Sequence, residues 1–216
     1  MTLDKLIQIA NDSGGTLYLM CLLLLAALTV IFERGWSLMR LQKSGNEFLT
    51  MLKHSAGIYS GSTRALGERF GNLPHAHLLM VALDEPESSS AETVEGHLEE
   101  ALMHEAPLLD RSLWILDTVI TLAPLLGLFG TIIGMFKAFE VLGDVQNQTQ
   151  RVTGGIAEAL IATACGLFIA MLGLFFFNWM NNRVRAIMHQ LETIKVMLLN
   201  RRKREDLAVV NQAKVK

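Results

Sequence analysis

Apolar residues gather in three long runs, 15–32, 113–142 and 155–180, with polar stretches before, between and after them. Crossing the hydrocarbon core of a bilayer takes about 20 apolar residues in a helix. Each run is therefore predicted to be a transmembrane helix. The first is at the short end of that range. The second would be about 45 Å long against a core of about 30 Å, so it must tilt or project beyond the bilayer. Pro124 removes one backbone hydrogen bond inside it, which predicts a kink. The first run lacks a basic segment before it and a small-x-small cleavage site after it, so an uncleaved span is expected rather than a signal peptide.

The polar stretches differ among themselves. In residues 1–14, Leu3, Leu6, Ile7 and Ala10 share a helical face, as in an amphipathic segment lying on a membrane. Residues 33–112 are soluble in character. Gly57, Gly61, Gly67 and Gly71 predict short or broken helices there. Pro86 and three serines predict a loop over 84–90. Helical spacing returns over 91–110 with Val94, Leu98, Ala101, Leu102 and Leu108. Residues 143–154 form a short polar link. Beyond 180, Val184, Ile187, Met188, Leu191, Ile194 and Leu198 keep helical period, so the third helix is predicted to run on as an amphipathic rod to about Arg204, followed by a frayed tail. No period-two pattern and no internal repeat occur. The expectation is an all-α membrane protein with three transmembrane helices, the second and third being long and extending into the cytoplasm.

Within the second and third runs small residues recur one turn apart. Ala123, Gly127, Thr131, Gly134 and Ala138 form one column; Ala159, Thr163, Gly166, Ala170 and Gly173 form the other. Each column lies on one helical face. In lipid, small faces let backbones approach and gain van der Waals contact. A tightly packed hairpin is predicted, with Gly127, Gly134, Gly166 and Gly173 as its packing residues.

Composition and charge refine this. The chain has 216 residues, 51% hydrophobic and 19% charged, so it is poorer in charge than soluble domains at about 25%. The net charge of -2 hides segregation. Lysine and arginine number one before the first run and one in the 143–154 link, but seven in 33–112 and nine after 180. The excess of basic residues on cytoplasmic segments predicts a cytoplasmic 33–112 loop and C-terminus, with the N-terminus and the link outside. Cys21 and Cys165 both lie in apolar runs, which argues against a disulfide framework. His75 and His77 lack a further ligand nearby in sequence, so no metal and no cofactor are expected. Nucleotide-binding loops, metalloprotease helices and hydrolase elbows are missing, which leaves an enzyme without residues to carry it.

Few polar groups enter the spans. Glu158 lies about one turn into the third. A carboxylate at mid-membrane costs roughly 2.5–3.5 kcal/mol, less near the interface. It can face a hydrated ion pathway, complement the helix dipole, or pair with Lys137. Thr131 and Thr163 can bond a carbonyl one turn back as packing groups, or offer oxygens to water or a proton. Asp117 is either an interfacial, solvated carboxylate or an inner port of the same pathway. Lys137 and Glu140 can pair and snorkel outward. The run Arg201 to Arg204 reads as a solvated cytoplasmic end, or as a contact for anionic headgroups.

The segments PLLGLFGTIIG at 124–134 and GIAEALIATACG at 155–166 closely resemble the MotA/TolQ/ExbB proton-channel family, and its ExbB branch most. Three spans with a large loop after the first fit ExbB and TolQ better than the four-span MotA branch. The resemblance implies a pentamer in the inner membrane of a Gram-negative bacterium. It implies a ring around ExbD-like helices that carry a membrane aspartate, with protons as the coupling ion. The complex would use the proton-motive force to energise a TonB-like protein for outer-membrane transport. The family's pore-facing threonines match Thr131 and Thr163, and its acid matches Glu158. Gly154 and Leu172 stand where many members have proline. A TolQ-like subunit of the Tol-Pal system, or a passive membrane scaffold, are the competing readings.

Overall fold

In a computed structural model the described residues, 15–55, 58–86, 89–140 and 148–214, are helical apart from short turns. The helices are α1 (Thr16–His54), α2 (Gly61–Arg69), α3 (Pro74–Asp84), α4 (Ala91–Asp110), α5 (Leu113–Glu140) and α6 (Gln148–Lys214). α1, α5 and α6 each contain a stretch long and apolar enough to cross a membrane. The protein is thus an all-α chain with three membrane-length apolar helices.

The third span extends as expected, in α6, but the other extension falls on the first span, α1, rather than on the second, α5. α1 runs 39 residues and α6 runs 67, whereas α5 is confined to 28. The reason for the short α5 lies just before it. Ser112 adopts a left-handed φ of 71°, which an L-residue holds only at isolated positions. That residue separates α4 from α5. The reason for the long α1 is a second apolar stripe past the span, with Leu38, Gly45, Phe48 and Leu52 at helical spacing and all buried. Pro124 lies inside α5, which continues on both sides of it. α6 begins at Gln148, so part of the expected polar link is helical, and it continues to Lys214 where a frayed tail was expected. The segment 1–14 and residues 141–147 lie outside the described residues.

The chain divides into two compact units, residues 1–35 with 112–179, and residues 36–111 with 180–216. The first holds the apolar spans. In the second, α2, α3 and α4 accompany the extensions of α1 and α6. Ser60 and Ser90 cap α2 and α4 by accepting from the backbone N–H of Thr63 and Thr93, at 3.3 and 3.2 Å. Pro74 starts α3, where a missing N–H costs nothing. Ile187, Leu191, Ile194 and Leu198 of α6 are all fully buried, the inward face of the predicted rod. A polar network ties α6 to α1 in this unit. Arg183 donates to the Gln42 side chain at 2.6 Å, and Gln190 donates to the Gln42 carbonyl and to Asn46 Oδ1 at 3.3 and 2.8 Å.

Candidate helix seam and proton path

The two small columns meet. A Cβ added to Gly127 would lie 2.9 Å from Thr163 Cα, and one on Gly134 would lie 2.7 Å from Ala159 Cβ. One on Gly166 would collide with the Ala123 carbonyl, and one on Gly173 would reach the Ile120 side chain at 3.0 Å. α5 and α6 therefore touch backbone to backbone over several turns. No side chain larger than hydrogen fits at Gly127 or Gly166 without moving a helix.

The buried column on α5 differs by one residue from the sequence reading. It runs Ala123, Gly127, Gly130, Gly134, Ala138, and Thr131 stands half-buried beside it. A Cβ on Gly130 would meet Thr16 Oγ1 at 2.8 Å and Ala162 Cβ at 2.9 Å, so this glycine admits α1 as well as α6. Gly130 and Ala162 were missed by the sequence reading, though the spacing from Gly127 to Gly130 to Gly134 carries them. On α6 the fully buried line includes Ala159, Ala162, Gly166, Ile169 and Gly173, while Thr163 and Ala170 are half-buried. Both threonines thus lie at the margin of the seam rather than in its centre.

Each threonine hydroxyl donates to a carbonyl. Thr163 Oγ1 crosses to the Gly127 carbonyl at 2.9 Å. Thr131 Oγ1 turns back to the Leu128 carbonyl of its own helix at 2.6 Å. With its one proton committed, a hydroxyl retains only acceptor capacity. Asp117 is exposed near the start of α5, and the Thr121 hydroxyl is shared between the Asp117 and Thr118 carbonyls, at 3.2 and 2.9 Å. Glu158 lies on α6, one residue before Ala159; its side chain is outside the described residues. Lys137 and Glu140 are exposed. Away from the seam the spans present bulky apolar groups, among them Phe129, Ile132 and Phe136 on α5 and Phe168, Met171 and Phe175 on α6.

The second unit holds its histidines apart. His75 is fully buried, with Nε2 2.9 Å from Gln190 Oε1, whereas exposed His77 places Nδ1 2.8 Å from Glu105. Among the described residues no group of three or more His, Cys, Asp or Glu side chains converges as a metal site. Gln190 spends its N–H donors on Gln42 and Asn46, so its oxygen faces His75 and the imidazole donates through Nε2. Nδ1 is then a buried acceptor without a partner. Burial pushes the His75 pKa below its ordinary value, against the opposing effects of Gln190 and Glu105.

The basic run after residue 200 departs from the solvated reading at its first two residues. Arg202 is 2% exposed, stacks on Tyr59 and donates to the Tyr59 hydroxyl and to the Pro86 and Ser89 carbonyls, the last at 2.8 Å. Arg201 donates to Ser55 Oγ and the Leu52 carbonyl at 2.7 and 2.5 Å. Planar guanidinium groups can satisfy several carbonyls at once, which a lysine cannot. Lys203 and Arg204 remain exposed.

Comparison with known proteins bears on the spans and the second unit together. Residues 71–193 match the model of the MotA/TolQ/ExbB proton channel family. Over 169 residues the chain is 32% identical to the putative biopolymer transport protein ExbB-like 1 of Synechocystis, covering 76% of the chain and 66% of that relative. Over 158 residues it is 34% identical to ExbB-like 3 of the same organism, covering 71% and 74%. It is 39% identical over 113 residues to the Tol-Pal system protein TolQ of Haemophilus influenzae, covering 52% of the chain and 49% of that protein.

Proposed function

The chain belongs to the MotA/TolQ/ExbB proton channel family, and from that premise we propose that it is an ExbB-like subunit of the bacterial inner membrane. It is a multi-pass channel subunit and not an enzyme. In our reading it assembles as a pentamer, with its N-terminus in the periplasm and its C-terminus in the cytoplasm. It surrounds ExbD-like helices that bear a membrane aspartate. Protons moving down their gradient through this complex energise a TonB-like protein for outer-membrane transport.

The observation that carries the reading is the glycine seam with two donor-committed threonines at its margin. Glu158 and Asp117 stand near opposite ends of the spans and cannot by themselves relay a proton across about 30 Å of hydrocarbon, so a partner must supply a carboxylate between them. Because the Thr131 and Thr163 protons point into carbonyls, their oxygens can only accept. An acceptor stabilises a protonated carboxyl or a water more than it does a carboxylate. The threonines therefore favour the neutral form of the partner's aspartate, the form that low dielectric also favours. Glu158 stands at the outer end of this path and Asp117 at its inner port. The electrical part of the gradient supplies about 2.3 kcal/mol per charge per 100 mV, enough for a few protons to shift the enclosed helices.

The test is proton flux into liposomes holding the chain with its ExbD-like partner. Flux is expected with both and not with the chain alone. Equal flux with and without the partner would remove the partner aspartate from the mechanism, and no flux with both would leave a passive scaffold. A TolQ-like role in the Tol-Pal system has its own support, the 39% identity to a TolQ over a shorter stretch. Co-purification from native membranes separates the two: a TonB-like companion fits the first role and a Tol-Pal companion the second.

A further inference from the structure

Helix α1 continues without a break from its apolar run to His54. The apolar run 15–32 covers about 27 Å as helix, so a hydrocarbon core of about 30 Å ends about two residues beyond it, at the charged pair Glu33 and Arg34. Trp36 follows within a turn. Arg40 and Lys43 come about 6 and 10 Å further along the axis. The headgroup layer adds about 5–8 Å to each side of the core, and the long stem of Lys43 lets its ammonium reach back into that layer.

Trp36, Met39, Arg40 and Lys43 are spaced i, i+3, i+4 and i+7, so they share one face. Together they line a groove of about 420 Å³ with mostly apolar walls. Trp36 is 72% exposed there. Among the described residues neither Arg40 nor Lys43 forms an ion pair, while the next acid along the helix, Glu47, is engaged by Arg69 at 3.8 Å. Two unneutralised cations beside an exposed indole, at headgroup depth, are matched to a molecule with an anionic head and an apolar body. Indoles settle at this level because their rings are amphipathic.

We propose that this groove binds one anionic phospholipid. Its phosphate lies between the Arg40 guanidinium and the Lys43 ammonium, and its glycerol and upper acyl segments lie against Trp36 and Met39. The site is independent of the cargo and partner proposed above, and its test needs neither. Lipid titration of the full-length, detergent-solubilised protein, read by native mass spectrometry, compares phosphatidylglycerol with phosphatidylethanolamine. Phosphatidylglycerol is expected to bind at least about tenfold more tightly. Raising NaCl should weaken phosphatidylglycerol alone, since exposed charges are screened. R40Q/K43Q should weaken it by about 30-fold, about fivefold per cation, with phosphatidylethanolamine unchanged, while R40K/K43R retains it. Equal affinity for the two lipids, or salt-insensitive binding by the unaltered chain, would overturn the site. So would an R40Q/K43Q variant that still binds phosphatidylglycerol as tightly. Glycerol phosphate should fail to compete; competition as strong as the lipid's own would make this a phosphate-ion site and end the lipid assignment.

Discussion

The Thr163 hydroxyl does two kinds of work that substitution can separate. It donates to the Gly127 carbonyl across the seam, and in the proposed path its lone pairs face a water or a protonated partner. Thr163→Ser keeps both roles. Thr163→Val keeps the shape and loses both. Hydrogen bonds between membrane helices average about 0.6 kcal/mol, so Thr163→Val should lower the stability of the solubilised protein by about that amount. If the path runs beside Thr163, proton flux in the partner complex should fall far more steeply than stability, with Thr163→Ser close to unaltered. Flux that stays normal in a properly assembled Thr163→Val complex would leave the hydroxyl a packing group. Glu158→Ala and Glu158→Gln, measured in the same assay, should both lose flux; full activity in both would leave a structural role alone.

At the scale of helices, glycine position decides the sign of a glycine-to-alanine change. Gly166 meets the Ala123 carbonyl, so Gly166→Ala forces α5 and α6 apart. Overpacking of this kind costs about 1–3 kcal/mol. Gly96 sits on the exposed face of α4 with nothing near its Cβ position. There alanine should stabilise by up to about 1 kcal/mol, through helix propensity. Thermal unfolding of the two variants should move in opposite directions. Arg202→Ala should destabilise by about 3 kcal/mol, because carbonyls at Pro86 and Ser89 and the Tyr59 hydroxyl lose a charged donor together. Much of this architecture was legible in the chain. The three apolar runs and the rod after residue 180 follow directly from helical period. The α1 extension was hidden because only Leu38, Phe48 and Leu52 carry its stripe, diluted by many charges. Spacing alone admits Thr131 to the column as readily as Gly130, since both satisfy a helix. Only packing distances distinguish a residue in a seam from one at its edge. The roles of Arg201 and Arg202 had no sequence signal at all, because their partners are mostly main-chain carbonyls about 113 to 149 residues away.

The molecule as a whole combines two units with separate cores, one apolar enough for lipid and one of soluble type. Their responses to acid should therefore differ. In the soluble-type unit His75 is buried against Phe48, accepts no proton at Nδ1 without orphaning a charge, and donates through Nε2 to Gln190. Its neighbours include Glu105, which is shared with His77 and opposes the effect of burial without cancelling it. The folded pKa lies below the unfolded value of about 6.5. A group lowered in this way contributes its full stability above the unfolded value. The contribution declines as pH falls from there through the folded value, because the unfolded chain then binds the proton more readily. Backbone hydrogen exchange of the full-length protein should consequently show α3 and the facing part of α6 opening faster at pH 5.5 than at pH 7.5, after correction for intrinsic exchange. His75→Gln, whose amide can still donate to Gln190, should flatten that dependence for α3. Among the described residues no titratable group lies at the contacts of the seam glycines of α5 and α6, and exchange at Gly127 and Gly166 should be unchanged between the two pH values. Acid-sensitive exchange in α3 that persists unaltered in His75→Gln would remove His75 as its source.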